Sequence, residues 1–265
     1  MRAFIINLDS ATDRWAFTEA AFAGSQFSLF RVPAIEGATF KLPHAQYAEG
    51  LYRWFHGRTP NLRELGCYLS HLKAVEAFLA TDEKHGLIGE DDLVLRPDFD
   101  AAIEAALQYS SAWNILRVTG LGRGRPVRLA RLFGDYSLCV SLGRLKGAGA
   151  YVIDRVAATA LLAGLLPMRL PYDHAFDREW FLGLRAAYIT PFPASQSESD
   201  FLSSVQPGIY PKLSPARRWL TTYPYQVCNE MARWLFRGSH YLRFKLARIF
   251  SGSLRDPGRI GESRK

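Results

Sequence analysis

Short β-rich apolar runs alternate with helical spacings over the first two hundred residues. Arg2–Leu8 (R-A-F-I-I-N-L) reads as a strand that stops at Asp9-Ser10, and Ala11–Phe22 can follow it as a helix. A first strand giving way to a helix is how nucleotide-binding α/β domains often begin, with ligand groups at the strand's C-terminal edge. Pro33–Pro60 is broken by Pro and Gly, yet it holds Tyr47, Tyr52, Trp54, Phe55 and His56. That stretch is either a substrate-facing loop or packing under the domain. Asn61–Leu79 is the strongest helix: Leu65, Leu69, Leu72, Ala74, Val75 and Leu79 recur at helical spacing, and Asn61 with Glu64 three residues on gives a capping-box pattern. Gly86–Arg96 (G-L-I-G-E-D-D-L-V-L-R) is an apolar strand interrupted by three acids, and Trp113–Val118 is again strand-like. Near the C-terminus, Gln226–Gly238 places Val227, Met231, Trp234 and Leu235 on one helical face beside Arg233 and Arg237. After Gly238, Tyr241–Phe250 repeats the arrangement with Leu242, Leu246, Ile249 and Phe250 flanked by Arg243, Lys245 and Arg248.

Composition narrows the class. The 265 residues, at about 100–200 per domain, make one large domain or one domain with an appendage. With 48% hydrophobic and 22% charged residues, a core is available and wholesale disorder is excluded. No apolar run approaches the roughly 18–20 residues that span a bilayer. Three widely spaced cysteines (Cys67, Cys139, Cys228) without C-x-x-C exclude a disulfide framework and an all-cysteine zinc site, so a reducing, cytoplasmic compartment is expected. The net charge of +8 is not spread evenly. Residues 212–265 hold 12 of the 33 Lys and Arg against three acids, leaving the remainder slightly negative. The expected organisation is a body over 1–210 and a basic amphipathic helical extension over 211–265, with Ser251–Lys265 a disordered end. Basic helices with apolar faces suit an anionic membrane interface, where each cation adds on the order of 1 kcal/mol; packing on the body with solvated arginines is the alternative. No nucleic-acid motif accompanies the charge, so nucleic acid is not expected as a partner.

The chemistry concentrates at Glu90-Asp91-Asp92. Adjacent anions in an apolar strand repel and lose hydration, and a divalent cation of the Mg²⁺/Mn²⁺ type, with hard oxygen ligands, compensates most economically. Strand alternation puts Glu90 and Asp92 on one face and Asp91 on the other. Such a spacing can hold a metal under the diphosphate of a nucleotide sugar. Cys67 and His71, four apart, share a helix face. A nucleophile pair is conceivable there, but no orienting third group lies nearby in sequence, and a helix-face Cys beside a satisfied His is favoured. Leu121–Arg131 carries four arginines and two glycines, either a basic loop that meets an anionic ligand or a solvated one.

The order I-N-L-D-x-x-x-x-R (Ile6 to Arg14), G-C-Y-L-S-H-L-K-A (Gly66 to Ala74) and an apolar strand ending E-D-D resembles glycosyltransferase family 25. Gly147–Arg155 (G-A-G-A-Y-V-I-D-R), Pro171–Asp177 (P-Y-D-H-A-F-D) and Pro191–Ser197 (P-F-P-A-S-Q-S) are similar to later segments of that family, so the resemblance covers roughly residues 1–205. It implies a GT-A-like α/β fold with a mixed central sheet, a nucleotide-sugar donor that is usually UDP-galactose, a divalent metal (Mn²⁺ or Mg²⁺) and inversion at the anomeric carbon. It also implies a lipooligosaccharide, lipopolysaccharide or related glycan acceptor, with the enzyme peripheral on the inner face of the cytoplasmic membrane. By the same resemblance Asn7, Leu8, Arg14, His71, Glu90, Asp91 and Tyr151 attend the donor, and Glu90 and Asp92 hold the metal. The chain departs from the family at Gly89, where a bulky aliphatic is usual, and at Ala148-Gly149, where Thr-His is frequent. Those departures give weight to the alternative of a non-catalytic glycan- or membrane-binding module. Inverting transfer needs a general base. Asp173 and Asp177 are the candidates, Asp173 favoured because it follows Pro171 at a helix mouth; a capping role is its alternative. His174 is a candidate metal or phosphate ligand or a structural histidine.

Overall fold

A computed structural model describes residues 1–122, 124–197 and 210–250. In chain order the elements are β1 (Arg2–Asn7), α1 (Thr12–Phe22), β2 (Ser28–Pro33), α2 (Glu49–His56), α3 (Leu62–Leu79), β3 (His85–Glu90), β4 (Leu93–Leu95), α4 (Phe99–Leu107), β5 (Ile115–Arg117) and β6 (Pro126–Arg131). They continue with β7 (Ser137–Ser141), β8 (Ala150–Asp154), α5 (Arg155–Gly164), α6 (Tyr172–Phe176), β9 (Ala186–Thr190), β10 (Ala194–Gln196), α7 (Pro215–Leu220) and α8 (Thr222–Phe250). Eight strands form one mixed sheet in the order β2-β1-β3-β8-β5-β9-β7-β6, and β10 pairs with β4 in a small sheet of its own.

The sheet is buried on both faces, which is why β1 and β3 read as near-continuous apolar runs. Phe4, Ile6, Ile88, Tyr151 and Ile153 point to one side and meet Leu65, Leu72, Val75 and Phe78 of α3 and Leu161 of α5. Ala3, Ile5, Leu87, Leu116 and Val152 point to the other and meet Phe99 and Ile103 of α4, with Tyr241 and Phe244 of α8 at the margin. α3 starts as expected, with the Asn61 side chain accepting from the Arg63 N–H. Its Gly66 is a packing residue: a Cβ there would stand 2.4 Å from Gly37 N, so helix and loop meet backbone to backbone.

Three expectations change. The 86–96 strand is not continuous; β3 ends at Glu90, Asp91-Asp92 form a turn, and β4 leaves the main sheet to pair with β10. Both aspartates have their carboxylates engaged by side chains of other segments, and Asp is a poor strand former. Leu121–Arg131 is not a loop throughout, since it is β6 from Pro126 on. The two tail helices are one helix, α8, running through Gly238. A glycine inside a helix costs only about 1 kcal/mol relative to alanine, little against the anchoring at Arg237 described below. The aromatic stretch 33–60 divides: Tyr47 and Tyr52 are core, while Phe55 stacks on Tyr225 of α8 at 4.3 Å.

The face of α8 turned to the body is also the reverse of a simple amphipathic helix. Arg233 is 1% exposed and Leu235 70% exposed. Arg233 and Arg237 reach Asp177, and Arg237 also reaches Glu179 at 2.7 Å and the Ser141 carbonyl at 3.0 Å. Val227, Met231, Trp234, Leu235, Phe236, Leu242, Leu246 and Ile249 remain outside, continued by Trp219 and Leu220 of α7. No helix among the described residues is long and apolar enough to cross a membrane. The expected disorder of Ser251–Lys265 lies outside the described residues.

Candidate functional site

A cleft of about 540 Å³ opens where the C-terminal ends of β3 and β10 meet α3 and α6. Glu64, Cys67 and His71 enter from α3, Glu90 from β3, Asp173 and His174 from α6, and Gln196 from β10. A larger cavity of about 650 Å³ lies between α8 and the body and contains none of the expected site residues.

Glu90 is the hinge of the cleft. Its Oε1 lies 3.3 Å from His71 Nε2, and its Oε2 accepts from Gln196 Nε2 at 2.9 Å. The same Gln196 nitrogen is 3.3 Å from Asp92 Oδ1, so two carboxylates converge on one donor. Burial, with the Glu90 charge next in size, pushes the Asp92 carboxyl up to about 6. Burial works against Glu90 as well, but the His71 hydrogen bond and the charges of His71 and Arg14 hold it below its ordinary value. Glu90 is therefore the standing anion of the pair and Asp92 the one that takes a proton in mild acid.

The third acid is employed differently. Asp91 is 5% exposed and accepts from Asn7 Nδ2 at 2.6 Å and Arg14 Nε at 2.8 Å, with a further short contact to Arg14 Nη2. Asn7, Arg14 and Asp91 thus form a locked cluster behind the turn, and none of them lines the cleft. Leu8 offers its carbonyl to Arg31 and is likewise outside the cleft lining. Of the two further residues expected at the donor, His71 lines the cleft, whereas Tyr151 is fully buried behind it and outside the lining: Tyr151 Oη stands 3.1 Å from His71 Nδ1 and 2.7 Å from Tyr172 Oη, and the His71 ring stacks on Tyr172 at 4.1 Å. Burial, then the neighbouring Tyr172, drives the Tyr151 hydroxyl far above its usual range, so it stays protonated and acts as a hydrogen-bonding group.

The two candidate bases separate. Asp173 lines the cleft, its Oδ2 accepting from Gly147 N–H at 3.3 Å; α6 is not capped by it. Asp177, one turn later, faces away and is 2% exposed. It accepts from Arg117 at 3.2 Å, Arg233 at 2.9 Å and Arg237 at 2.9 Å. Burial opposes its charge, but Arg237, Arg117 and Arg233 hold it below the ordinary carboxylate range. An acid so committed cannot accept a substrate proton, and Asp177 acts as an anchor. The anchor reaches the cleft indirectly, because Arg117 also holds the Gly147 carbonyl at 3.0 Å and the Leu145 carbonyl, fixing the loop that supports Asp173.

His174 lines the cleft edge-to-face against His56 at 5.2 Å. Burial is the main cause that keeps both imidazoles neutral, with His56 pushed down to about 3. Gln196 is the site residue that the sequence did not single out, since only the β10–β4 pairing brings it beside Glu90. A signal existed in Gly149: a Cβ there would lie 2.6 Å from Gln196 Cδ, so the glycine makes room for the glutamine. A side chain at Gly89 would press within 2.8 Å of Leu93 Cδ1 and 3.0 Å of Ile5 Cδ1.

Comparison with known proteins agrees with the N-terminal half of this picture. A curated "Glycosyltransferase 25 family member" from Drosophila pseudoobscura pseudoobscura is 24% identical over 227 residues, covering 77% of this chain. The chain spans only 36% of that relative's length. Among solved structures, the inositol-1-phosphate CTP transferase from T. maritima aligns with a TM-score of 0.39 and 10% identity over 87% of this chain and 96% of that one. The model of "Glycosyltransferase family 25 (LPS biosynthesis protein)" matches residues 1–125, which takes in the first three of the ordered segments and stops short of those at Gly147, Pro171 and Pro191. Residues 1–125 carry the sequence pattern of glycosyltransferase family 25.

Proposed function

We propose that this chain is a metal-dependent, inverting hexosyltransferase of GT-A-like fold. It would move galactose from UDP-galactose, or a related hexose from its nucleotide, to a lipooligosaccharide, lipopolysaccharide or similar glycan. The observation that carries the reading is the convergence of Glu90 and Asp92 on the Gln196 nitrogen, Glu90 and Gln196 lining the cleft with Asp173 while Asp92 stands behind its lining. Beside their shared donor Gln196, Asp92 has Arg14 at 3.5 Å, which also serves Asp91, and Glu90 has His71; burial and the Glu90 charge still raise Asp92, and an oxygen-liganded divalent cation would offset both. Glu90 and Asp92 are the residues to hold it; when bound, the ion neutralises charge on the departing diphosphate. Asp173 takes the proton of the acceptor hydroxyl, steadied by Gly147 N–H. A screen of UDP-sugars for Mn²⁺-dependent hydrolysis and transfer is the direct test; no turnover with any of them, with or without metal, defeats the assignment.

The raised Asp92 carries a pH consequence. A cation must displace its proton, so Mn²⁺ affinity rises with pH up to about 6 and then levels. Between pH 7 and pH 5 we expect roughly a tenfold loss of affinity, one proton per ion, measurable by titration calorimetry. Equal affinities at the two pH values would remove Asp92 from the ligand set.

The outward apolar face of α7 and α8, with Arg217 and Arg243 exposed beside it, suits docking on an anionic membrane where a lipid-linked acceptor resides. The full chain should co-sediment with phosphatidylglycerol-containing vesicles. Exchanging Trp234 and Leu235 for Glu should weaken that binding by at least about tenfold, given roughly 1.5–3 kcal/mol for each large apolar side chain buried. Unaltered sedimentation of the double variant would exclude this face as the docking surface.

A further inference from the structure

The cleft contains two donor atoms that a hard-cation reading does not use, on Cys67 and His71, and they stand beside one that it does, on Glu90. Cys67 Sγ, one ring nitrogen of His71 and one carboxylate oxygen of Glu90 all lie within 4.8 Å of one another. The helix places Cys67 and His71 one turn apart on the face that meets the end of β3. The His71 Nε2 to Glu90 Oε1 separation, 3.3 Å, is already that between two ligands of a tetrahedral ion, roughly 3.3–3.7 Å from metal–ligand distances of about 2.0–2.3 Å.

We propose that Cys67, His71 and Glu90 form a binding site for a borderline divalent ion of the zinc class, with its fourth position open to the cleft. It shares Glu90 with the proposed function but rests on the donor atoms alone. A sulfur, a nitrogen and a single oxygen select Zn²⁺ or Co²⁺ over Mg²⁺, which demands oxygen ligands. One thiolate and one carboxylate balance the two charges of the ion, so the half-buried site carries no net charge when filled. Three protein ligands and an open position are the pattern of reactive zinc sites, whereas structural ones are closed by a fourth side chain. The supporting contacts are present as well. Tyr151 Oη at His71 Nδ1 can accept that ring's N–H once Nε2 ligates, Tyr172 holds the ring plane, and Gln196 fixes the other Glu90 oxygen. On binding, the Cys67 thiol proton leaves to solvent and the sulfur lone pair forms the metal bond.

Cobalt titration of the full chain, stripped with chelator and carrying Cys228→Ser to remove the exposed thiol, tests this. We expect one Co²⁺ per chain, a thiolate-to-cobalt charge-transfer band in the near ultraviolet, and the intense visible bands of a four-coordinate ion. Cys67→Ser should abolish the charge-transfer band and weaken binding at least tenfold. Tyr151→Phe should keep the spectrum and weaken binding about 10–100-fold. Asp92→Asn should keep the charge-transfer band and change the affinity less than Cys67→Ser does, which separates this site from an oxygen-only ion at Glu90 and Asp92. Binding without the charge-transfer band, a band that survives Cys67→Ser, or no saturable binding overturns the proposal. Mn²⁺-dependent sugar transfer could persist in each of those cases, and the cobalt spectrum could persist if no UDP-sugar is turned over.

Discussion

Replacing Asp177 with alanine should cost about 3–5 kcal/mol of folding stability, the range for removing one partner from a buried charge cluster. The cost comes from what remains. Arg117, Arg233 and Arg237 all donate to this carboxylate, and all three are nearly inaccessible to solvent. Arg237 would retain Glu179 and the Ser141 carbonyl, and Arg233 would retain Glu230 at the surface. Arg117 would be left with two carbonyls and no counter-ion among the described residues. For a chain of this size the loss corresponds to a fall of roughly 6–20 °C in Tm. Thermal unfolding checks it, and limited trypsin digestion should show α8 released first, since two of its inward contacts are gone. The folded Asp177 carboxyl lies below its unfolded value, so its contribution is present at neutral pH and is lost only as pH falls through that depressed value. The variant should therefore lack this part of the acid destabilisation. A Tm within a degree or two of the parent would show that the arginines find other partners.

Much of the frame could be read from the chain, because local rules and tertiary demands agree there. The helical spacing from Leu65 to Leu79 and the Asn61 cap describe α3 as it stands. The expected alternation does not survive, since Asp91-Asp92 form a turn, yet Asp91 is still turned to Asn7 and Arg14 while Glu90 and Asp92 share Gln196, with Arg14 reaching Asp92 as well at 3.5 Å. What could not be read depends on contacts distant in sequence. The sequence favours Asp173 over Asp177 only for its place after Pro171, and it takes Arg117 and the two α8 arginines, 56 to 60 positions away, to make Asp177 an anchor. The α8 pattern shows an apolar and a basic face, but not which of them the body will take. Two buried acids, Asp177 and Glu179, decide that the arginines go inside. Gln196 lies in the Pro191–Ser197 segment that resembles the family, but its place beside Glu90 is set by a three-residue pairing with β4 across a hundred residues.

Asp92→Ala should separate activity from stability in the opposite sense. Metal-dependent transfer should fall by at least about 10²–10³, the scale on which a preorganised charge at the reacting centre acts, and below detection if the ion no longer binds. The fold should not suffer. The folded Asp92 carboxyl is raised to about 6, so its ionised form disfavours the folded state; the penalty is absent in acid, grows as pH rises from the ordinary carboxyl value towards 6, and is constant above. Removing the side chain at pH 7–8 also relieves Glu90 of a like charge, and Arg14 keeps Asp91 as its partner. Tm should thus be unchanged or slightly raised. Measuring kcat/KM with UDP-galactose and Mn²⁺ beside Tm places the two aspartates on different axes. Asp177→Ala loses stability, and activity only so far as the Leu145–Gly147 loop loosens, whereas Asp92→Ala loses activity alone. Undiminished transfer by a well-folded Asp92→Ala protein would remove the Glu90–Asp92 pair from the chemistry. Asp173 and the Cys67–His71–Glu90 donors would then be the groups left in the cleft to explain turnover.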